Sequence, residues 1–460
     1  MNANFNPKLP LVLYGAGRNA SNAYAQVLSL GIKPVCFTDK DSKKWGKPAY
    51  LGGNLTVLAL DEVRKKYCDF NIYITVAQSG SFAKLAVEAY LVEEEGISSD
   101  KILNFEPYIK RISCGLFEDT IAPLGERDIG LCRGGRLINV TQMPTTEWVD
   151  DPAKALDDFL AMRQKLINDN QENLVNSPCN NCIVLRNAAW PSEYHVRNYV
   201  LSTEPKSPCQ FKCIYCYAGH YGNNDFETKK SSDKAIDKRV DLLLELEKRG
   251  LADPAFTVIS LSDGEIAVDP KRANLYKLIE RYKSWIYTNA GIYSEEIAVL
   301  LKKGLTHIVV SIDAGTRETF TKIKGIDAYI KVCENLKKYS AIAPRLVRLQ
   351  YIYLPNRNDD IKDIDGFVEL CDNINPEMVS VLLDVLSDKN TLDMKVLLGF
   401  FDLLDKLLLH GHSLFIGANV FLSNEERDII LDFAKNKDDG LIRDEQYYHR
   451  LKLALNEKVY

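Results

Sequence analysis

The feature that most restricts this chain is an alternation of strand-like and helix-like segments from Arg197 to about residue 425. NYVLST, FTVISL, WIYTN, HIVVSID, LVRLQYIYL, MVSVLLDV and SLFIGA are short runs rich in β-branched and aromatic residues, and they read as strands. Amphipathic stretches separate them. One carries Ile236, Val240, Leu243 and Leu244 on a single face and stops at Gly250; another follows Asp269-Pro270. SEEIAVLLKKG, IDAYIKVCENLKKY, DIDGFVELCDNI and the segment containing LLGFFDLLDKLLL complete the set. Strands joined through helices pair most simply in parallel. Six such units, seven with SLFIGA, fit a partial or complete parallel barrel, whose functional groups gather at the C-terminal ends of the strands.

Residues 11 to about 108 repeat the alternation on a smaller scale: LVLY, a helix through Leu30, PVCFTD, NIYITV and then FAKLAVEAYL. Between the two regions Asp151 can cap a helix with Pro152 at its first position, and Leu156, Phe159, Leu160, Leu166 and Ile167 mark its apolar face. The expected fold is α/β in four parts: a Rossmann-like parallel sheet (1–108), a small cysteine-containing module (109–196), a partial (β/α)6-type TIM barrel (197–425) and a C-terminal helical tail (426–460).

Composition narrows the function. The 460 residues are 46% hydrophobic, enough for a large core, and the formal net charge of −5 gives no global basic field for nucleic acid or acidic lipid. MNANFNPKLPLVLYGAG lacks the charged start and long apolar run of a signal peptide, and no segment is apolar enough to span a bilayer. The expectation is a cytoplasmic chain without membrane or nucleic-acid partners. In a reducing compartment its 11 cysteines read as metal ligands or buried small residues rather than disulfides.

PCQFKCIYCYAG holds Cys209, Cys213 and Cys216 within eight residues. Thiolates at such spacing converge on one soft metal centre. Zinc with His220 as fourth ligand is one reading. An iron-sulfur cubane is the other, and with three cysteines it leaves one iron open to a further ligand. This motif, with the aromatic Tyr215 before the last cysteine, resembles that of the radical S-adenosylmethionine (radical SAM) enzymes. The resemblance runs over about residues 197–420. It implies a [4Fe-4S] cluster on the three cysteines, S-adenosylmethionine chelated by the open iron, and a 5′-deoxyadenosyl radical that takes a hydrogen atom from a substrate. A flavodoxin- or ferredoxin-type donor would reduce the cluster. Asp263-Gly264-Glu265 stands where the family has a Gly-Gly-Glu-like motif receiving the methionyl amine, with its first glycine replaced. Asn289, Ser311 and Asp313, after the third and fourth strands, are implied cofactor contacts, as is Tyr215. Gln350 is a candidate too, with a barrel-interior polar group as the plainer reading.

Cys114, Cys132, Cys179 and Cys182 lie upstream, the last two in a C-x2-C pair. They resemble the auxiliary-cluster modules called SPASM or twitch, which usually follow the barrel rather than precede it. A second [4Fe-4S] cluster is implied, with structural zinc as the alternative. Cys36, Cys68, Cys333 and Cys371 read as core or incidental thiols.

Gly15-Ala16-Gly17 follows a strand and opens a helix, and Asp39 ends the next strand. That is the context of a dinucleotide-binding turn. It resembles the front domains of bacterial sugar acetyltransferases as much as dehydrogenases, so a nucleotide, a nucleotide-sugar, NAD and a purely docking role all stand. The functional expectation is a radical SAM enzyme acting on a small molecule, a sugar or nucleotide-sugar among the candidates. A peptide maturase and a non-enzymatic iron-sulfur or zinc redox-sensing or docking protein are alternatives. A zinc-dependent NAD oxidoreductase would leave the downstream β/α units unexplained.

Overall fold

A computed structural model of the chain describes residues 5–17, 19–49, 53–76, 82–103, 105, 111–114, 118–124, 128–131, 145–147, 151–180, 185–187, 194–201, 209–216, 233–262, 264–269, 272–383, 393–416 and 422–456. The chain is mixed α/β, with two largely parallel sheets. In the front sheet β1 (Leu11–Tyr14), β2 (Cys36–Thr38), β3 (Val57–Leu58), β4 (Asn71–Ile74) and β5 (Ile102–Leu103) pair in parallel in the order β3-β2-β1-β4-β5. Every residue of β1 is buried, as expected of a strand covered on both faces. Leu11, Leu13, Phe37 and Tyr73 pack in one core, and Val12, Tyr14, Ile72 and Ile74 in another. Helices α1 (Ala20–Ser29), α2 (Leu60–Lys66) and α3 (Phe82–Glu93) supply the connections.

The middle region adds β6 (Ile112–Ser113), β7 (Thr120–Leu124), β8 (Asp128–Gly130), β9 (Thr145–Glu147), α4 (Pro152–Glu172) and β10 (Arg186–Asn187). Asp151 caps α4, its carboxylate accepting from the Ala153 and Lys154 amides at 3.0 and 3.1 Å.

The second sheet runs through β11 (Asn198–Val200), β12 (Val258–Leu261), β13 (Lys283–Thr288), β14 (Thr306–Ser311), β15 (Val347–Tyr353), β16 (Met378–Leu383) and β17 (Leu414–Ile416), each parallel to the next. The connecting helices are α5 (Asp233–Lys248), α6 (Arg272–Arg281), α7 (Glu295–Lys302), α8 (Arg317–Lys324), α9 (Tyr329–Ile342), α10 (Ile361–Ile374) and α11 (Met394–Leu409). Ile286, Ile308, Val310, Leu349 and Tyr351 are buried on one face of this sheet. The alternate residues Trp285, His307, Ser311, Arg348 and Gln350 are half-buried on the other.

This sheet crosses the expected boundary at 196/197. β7 pairs in parallel with β11, and β8 and β9 continue it antiparallel, so the middle region is part of the same layer. The expected helical tail likewise joins the same core. Ile430, Tyr447, Leu451 and Leu455, from α12 (Asn424–Asn436) and α13 (Glu445–Asn456), are buried there.

A buried carboxylate holds these last helices to α11. Asp405 accepts hydrogen bonds from Arg443 (2.8 and 2.6 Å), Tyr447 (2.5 Å) and Lys437 (3.0 Å). Burial alone would push its carboxyl up; the Arg443, Tyr447 and Lys437 hydrogen bonds overcome that and hold it below the ordinary value. A depressed carboxyl pKa stabilises the fold above about pH 4, the unfolded value, and that contribution fades as pH falls through the folded value. Asp405→Asn is expected to cost about 3 kcal/mol at neutral pH, since it leaves two cations without their shared partner. Urea melts of wild type and variant should converge as the pH is taken below about 4.

Candidate metal and cofactor site at the strand ends

The cysteine loop follows β11 and lies across the C-terminal ends of the neighbouring strands. Its backbone is stitched to the end of α8: the Lys212 amide donates to the Lys324 carbonyl (2.8 Å), and the Ile214 amide to the Ile323 carbonyl (2.9 Å). Gly325, at φ +68°, ends α8 in the left-handed region, and a Cβ there would come within 2.8 Å of the Lys212 carbonyl. Phe211 is buried edge-on against Phe320, with ring centroids 5.9 Å apart.

Cys209, Cys213 and Cys216 are partly buried and lie close enough to act on one another electrostatically. Burial pushes the Cys209 thiol up to about 12, with Glu265, Cys213 and Cys216 adding to the shift. Burial also raises Cys213; Lys324 opposes this, and Asp313 and Cys216 reinforce it. Among the described residues no three His, Cys, Asp or Glu side chains stand in ready-made ligating convergence. The donor set nonetheless suits a thiophilic centre: three sulfurs on one short loop, which a cationic cluster would hold as thiolates.

Around the loop the strand ends supply polar groups. Asn289, after β13, directs its amide nitrogen to Cys209 Sγ (3.4 Å), while its amide oxygen accepts from Gln210 (2.8 Å) and from the Gly291 amide (2.9 Å). Glu265, after β12, is 2% exposed, and its carboxylate is engaged within the protein. Thr288 Oγ1 donates to it from 2.9 and 2.8 Å, the Asn289 amide from 2.7 Å and the Ala267 amide from 3.2 Å. Burial raises the Glu265 pKa against these bonds. Glu265 thereby ties the end of β12 to the end of β13 and sets the position of Asn289. Gly264 sits at φ +75°; Asp263 lies outside the described residues.

Asp313, after β14, is wholly buried at φ +56°. It does not cap α8, a role taken by Thr316, whose side chain accepts from the Thr319 amide. Asp313 Oδ1 accepts from the Ile352 amide (2.6 Å), and its carbonyl accepts from Asn358 (2.9 Å). Oδ2 accepts from Lys324 Nζ (2.5 Å) and from the Tyr215 hydroxyl. Ser311 Oγ accepts from Gln350 (2.7 Å), so those two form a pair on the half-buried face. Gln210, Lys324, Thr288 and Asn358 are site residues that the sequence reading did not single out. Gln210 was visible as the residue beside Cys209. Lys324 stood in KIKG, at the end of a helix where a lysine ordinarily points to solvent.

The upstream cysteines are placed in part. Cys114 and Cys179 are buried in the main core. The Ser177 hydroxyl accepts from the Cys179 amide (3.1 Å), and the Cys114 carbonyl accepts from the Glu118 amide (3.1 Å). Cys132, Cys182 and His220 lie outside the described residues.

The glycine turn is not brought to the cysteine site. Asp39 folds back on its own loop, accepting from the Ala16 amide (2.7 Å), the Asp41 amide (2.9 Å) and Lys44 Nζ (2.7 Å). Gly15 and Gly17 therefore frame a turn whose acidic partner is already engaged. The first turn of α1 meets Arg197, which donates to Asn22 (2.7 Å), Asn19 (3.4 Å) and Ser21 and lies 3.7 Å from Asp119. Arg197 precedes β11, whereas Cys209 follows it. The front sheet thus docks at the N-terminal ends of the strands and the cysteines lie at the C-terminal ends.

Residues 206–368 match the family model of the Radical SAM superfamily. The chain carries a radical SAM domain. Its residues 209–216 and the ends of β12 to β15 all fall within that match, and the family's cofactors are a [4Fe-4S] cluster and S-adenosylmethionine. Two curated relatives each match about a third of the chain. A probable GTP 3′,8-cyclase of Saccharolobus islandicus is 31% identical over 173 residues, 36% of this chain and 50% of that protein. A probable GTP 3′,8-cyclase of Saccharolobus solfataricus is 30% identical over 176 residues, with the same coverage. The chain therefore spans about half the length of the curated relatives it matches. Among solved structures, Streptococcus suis SuiB bound to precursor peptide SuiA aligns at 14% identity over 65% of this chain and 60% of that one, with a TM-score of 0.40. No helix among the described residues is long and apolar enough to cross a membrane.

Proposed function

We propose that this chain is a radical SAM enzyme that cleaves S-adenosylmethionine reductively and removes a hydrogen atom from a small-molecule substrate. The observation that carries the reading is the cysteine loop itself: three thiols on eight residues at the C-terminal ends of parallel strands, bonded to Asn289 on one side and to the β14–α8 connection on the other. In this reading β11 to β17 are a partial TIM barrel, the front sheet is Rossmann-like, and Cys114, Cys132, Cys179 and Cys182 hold an auxiliary cluster.

Cys209, Cys213 and Cys216 hold the catalytic cluster, which together with S-adenosylmethionine supplies the one-electron chemistry. The protein's own part is placement. Glu265 fixes Asn289 beside Cys209, Gly264 leaves backbone open to the methionyl amine, and Tyr215 is immobilised by Asp313 and Lys324. Trp285 stacks on His307 with ring centroids 4.6 Å apart, and Arg348, 4.1 Å from the Trp285 ring, donates to Glu377 (2.7 Å). These three residues lie toward the N-terminal ends of their strands, away from the cysteine loop, and brace the sheet there. The curated relatives are named for GTP, so a nucleotide or nucleotide-sugar is the class to test first. The docked glycine turn favours an anchoring role for the front domain over a substrate cradle, since it faces the opposite strand ends.

The test is anaerobic reconstitution followed by reduction with dithionite in the presence of S-adenosylmethionine. Release of 5′-deoxyadenosine, raised by nucleotides added one at a time, is the expected result. A protein that holds a [4Fe-4S] cluster yet cleaves no S-adenosylmethionine would remove the enzymatic reading.

A further inference from the structure

Lys324 is almost completely buried, 1% exposed, at the end of a helix whose other lysine, Lys322, points to solvent. A buried ammonium is costly unless it is paired. This one is paired twice: Nζ lies 2.5 Å from Asp313 Oδ2 and 2.5 Å from the Tyr215 hydroxyl, with the Tyr215 ring centroid 5.1 Å away. The three groups are joined into one hydrogen-bonded triangle, because the Tyr215 hydroxyl also donates to Asp313 Oδ2. The triangle lies directly against the cysteine loop. Tyr215 is the residue before Cys216, and the Lys324 carbonyl accepts from Lys212 in the same loop.

The triangle places one positive and one negative charge, both buried, against the residue that precedes Cys216. If cross-linking the loop to the barrel were all that was needed, a buried charge would be a poor choice, since a well-packed apolar contact does that without the desolvation cost. A fixed positive charge beside a cluster ligand has a further effect. Reduction adds an electron to the cluster, and a nearby cation stabilises the reduced state most where the local dielectric is low.

We propose that Lys324 is a positioning residue that sets the reduction potential of the cluster on Cys209, Cys213 and Cys216, with Asp313 and Tyr215 holding its charge in place. This rests on the radical SAM reading above. Lys324 raises the potential, Asp313 lowers it, and their balance decides how readily an external donor can start the reaction.

The experiment is an EPR-monitored redox titration of the reconstituted full-length protein, compared with K324Q, K324R and D313N. K324Q should shift the midpoint to lower potential, D313N should shift it higher, and K324R should restore the wild-type value within error. A merely structural strap predicts shifts of the same sign in K324Q and D313N, or none, and either result overturns the inference. If K324Q fails to hold iron, D313N decides: a higher midpoint supports the inference, and an unchanged or lower one overturns it. Wild-type protein that forms no [4Fe-4S] cluster overturns the functional reading itself, a failure distinguishable from that of the Lys324 inference, which requires an intact cluster with an unmoved potential.

Discussion

Replacing any one of Cys209, Cys213 or Cys216 with alanine is expected to abolish 5′-deoxyadenosine formation, a loss of at least about a thousandfold, or about 4 kcal/mol of barrier. The reason is coordination arithmetic. Three thiolates hold a cubane and leave one iron for the cofactor; two leave a second iron exposed and the cluster labile. The loop's architecture says the loss will be local. Its anchors are Lys212 and Ile214 backbone bonds to α8 and the burial of Phe211, none of which uses a cysteine side chain. Each variant should therefore keep the wild-type far-ultraviolet circular dichroism while losing most of the iron that the loop binds. Serine in place of cysteine should do no better, because a hydroxyl is a far weaker ligand for this soft centre. Wild-type rates of 5′-deoxyadenosine formation in any single cysteine variant, measured after anaerobic reconstitution, would be incompatible with the proposed site.

The second large effect is structural and lies at Gly315. The loop after β14 and helix α10 touch backbone to backbone there. A Cβ on Gly315 would collide with the Asp363 carbonyl and the Phe367 amide and come within 2.7 Å of the Gly366 carbonyl carbon. No side chain can rotate aside, so α10 itself must move. It is held in place by Asp363, which accepts from the Thr316 amide (2.9 Å), Thr316 Oγ1 (3.0 Å) and the Tyr351 hydroxyl (2.9 Å). Gly315→Ala should cost about 3 kcal/mol or more, the upper range for overpacking. Asp313 is only two residues away, so the variant should also incorporate less iron. Gly17→Ala is the control: its Cβ would meet nothing within 4 Å, and the expected cost is below about 1 kcal/mol. Denaturant melts of the two variants side by side separate the effects; equal stability would show that α10 yields freely.

The strand-helix alternation was legible because the strands are short runs rich in β-branched and aromatic residues and the helices show an apolar stripe, both local properties of sequence. The cysteine spacing was legible for the same reason: its partners lie within eight residues. What local pattern does not encode is contact across long separations. Nothing around Lys324 announces that it meets Tyr215, 109 residues earlier, or that Tyr215 meets Asp313, 98 residues later. Glu265 reads as a free acid at a strand end until Thr288 and Asn289 of the next strand are seen to occupy it. Arg197 shows no periodic signal at all, yet it joins the two sheets. The module boundary at 196/197 rested on a break in the alternation. The sheet passes through that break because β7 pairs with β11 at a register that no local pattern specifies.

The central claim is that one iron of the cluster lacks a protein ligand and binds S-adenosylmethionine. EPR of the anaerobically reconstituted, dithionite-reduced protein, recorded before and after addition of S-adenosylmethionine, tests it most directly. The account predicts a [4Fe-4S]1+ signal whose g-values change on addition of the cofactor, and the loss of that cofactor-responsive signal in a C213A variant. Metal analysis finding zinc in place of iron at this loop, or a cluster signal indifferent to S-adenosylmethionine, would contradict it.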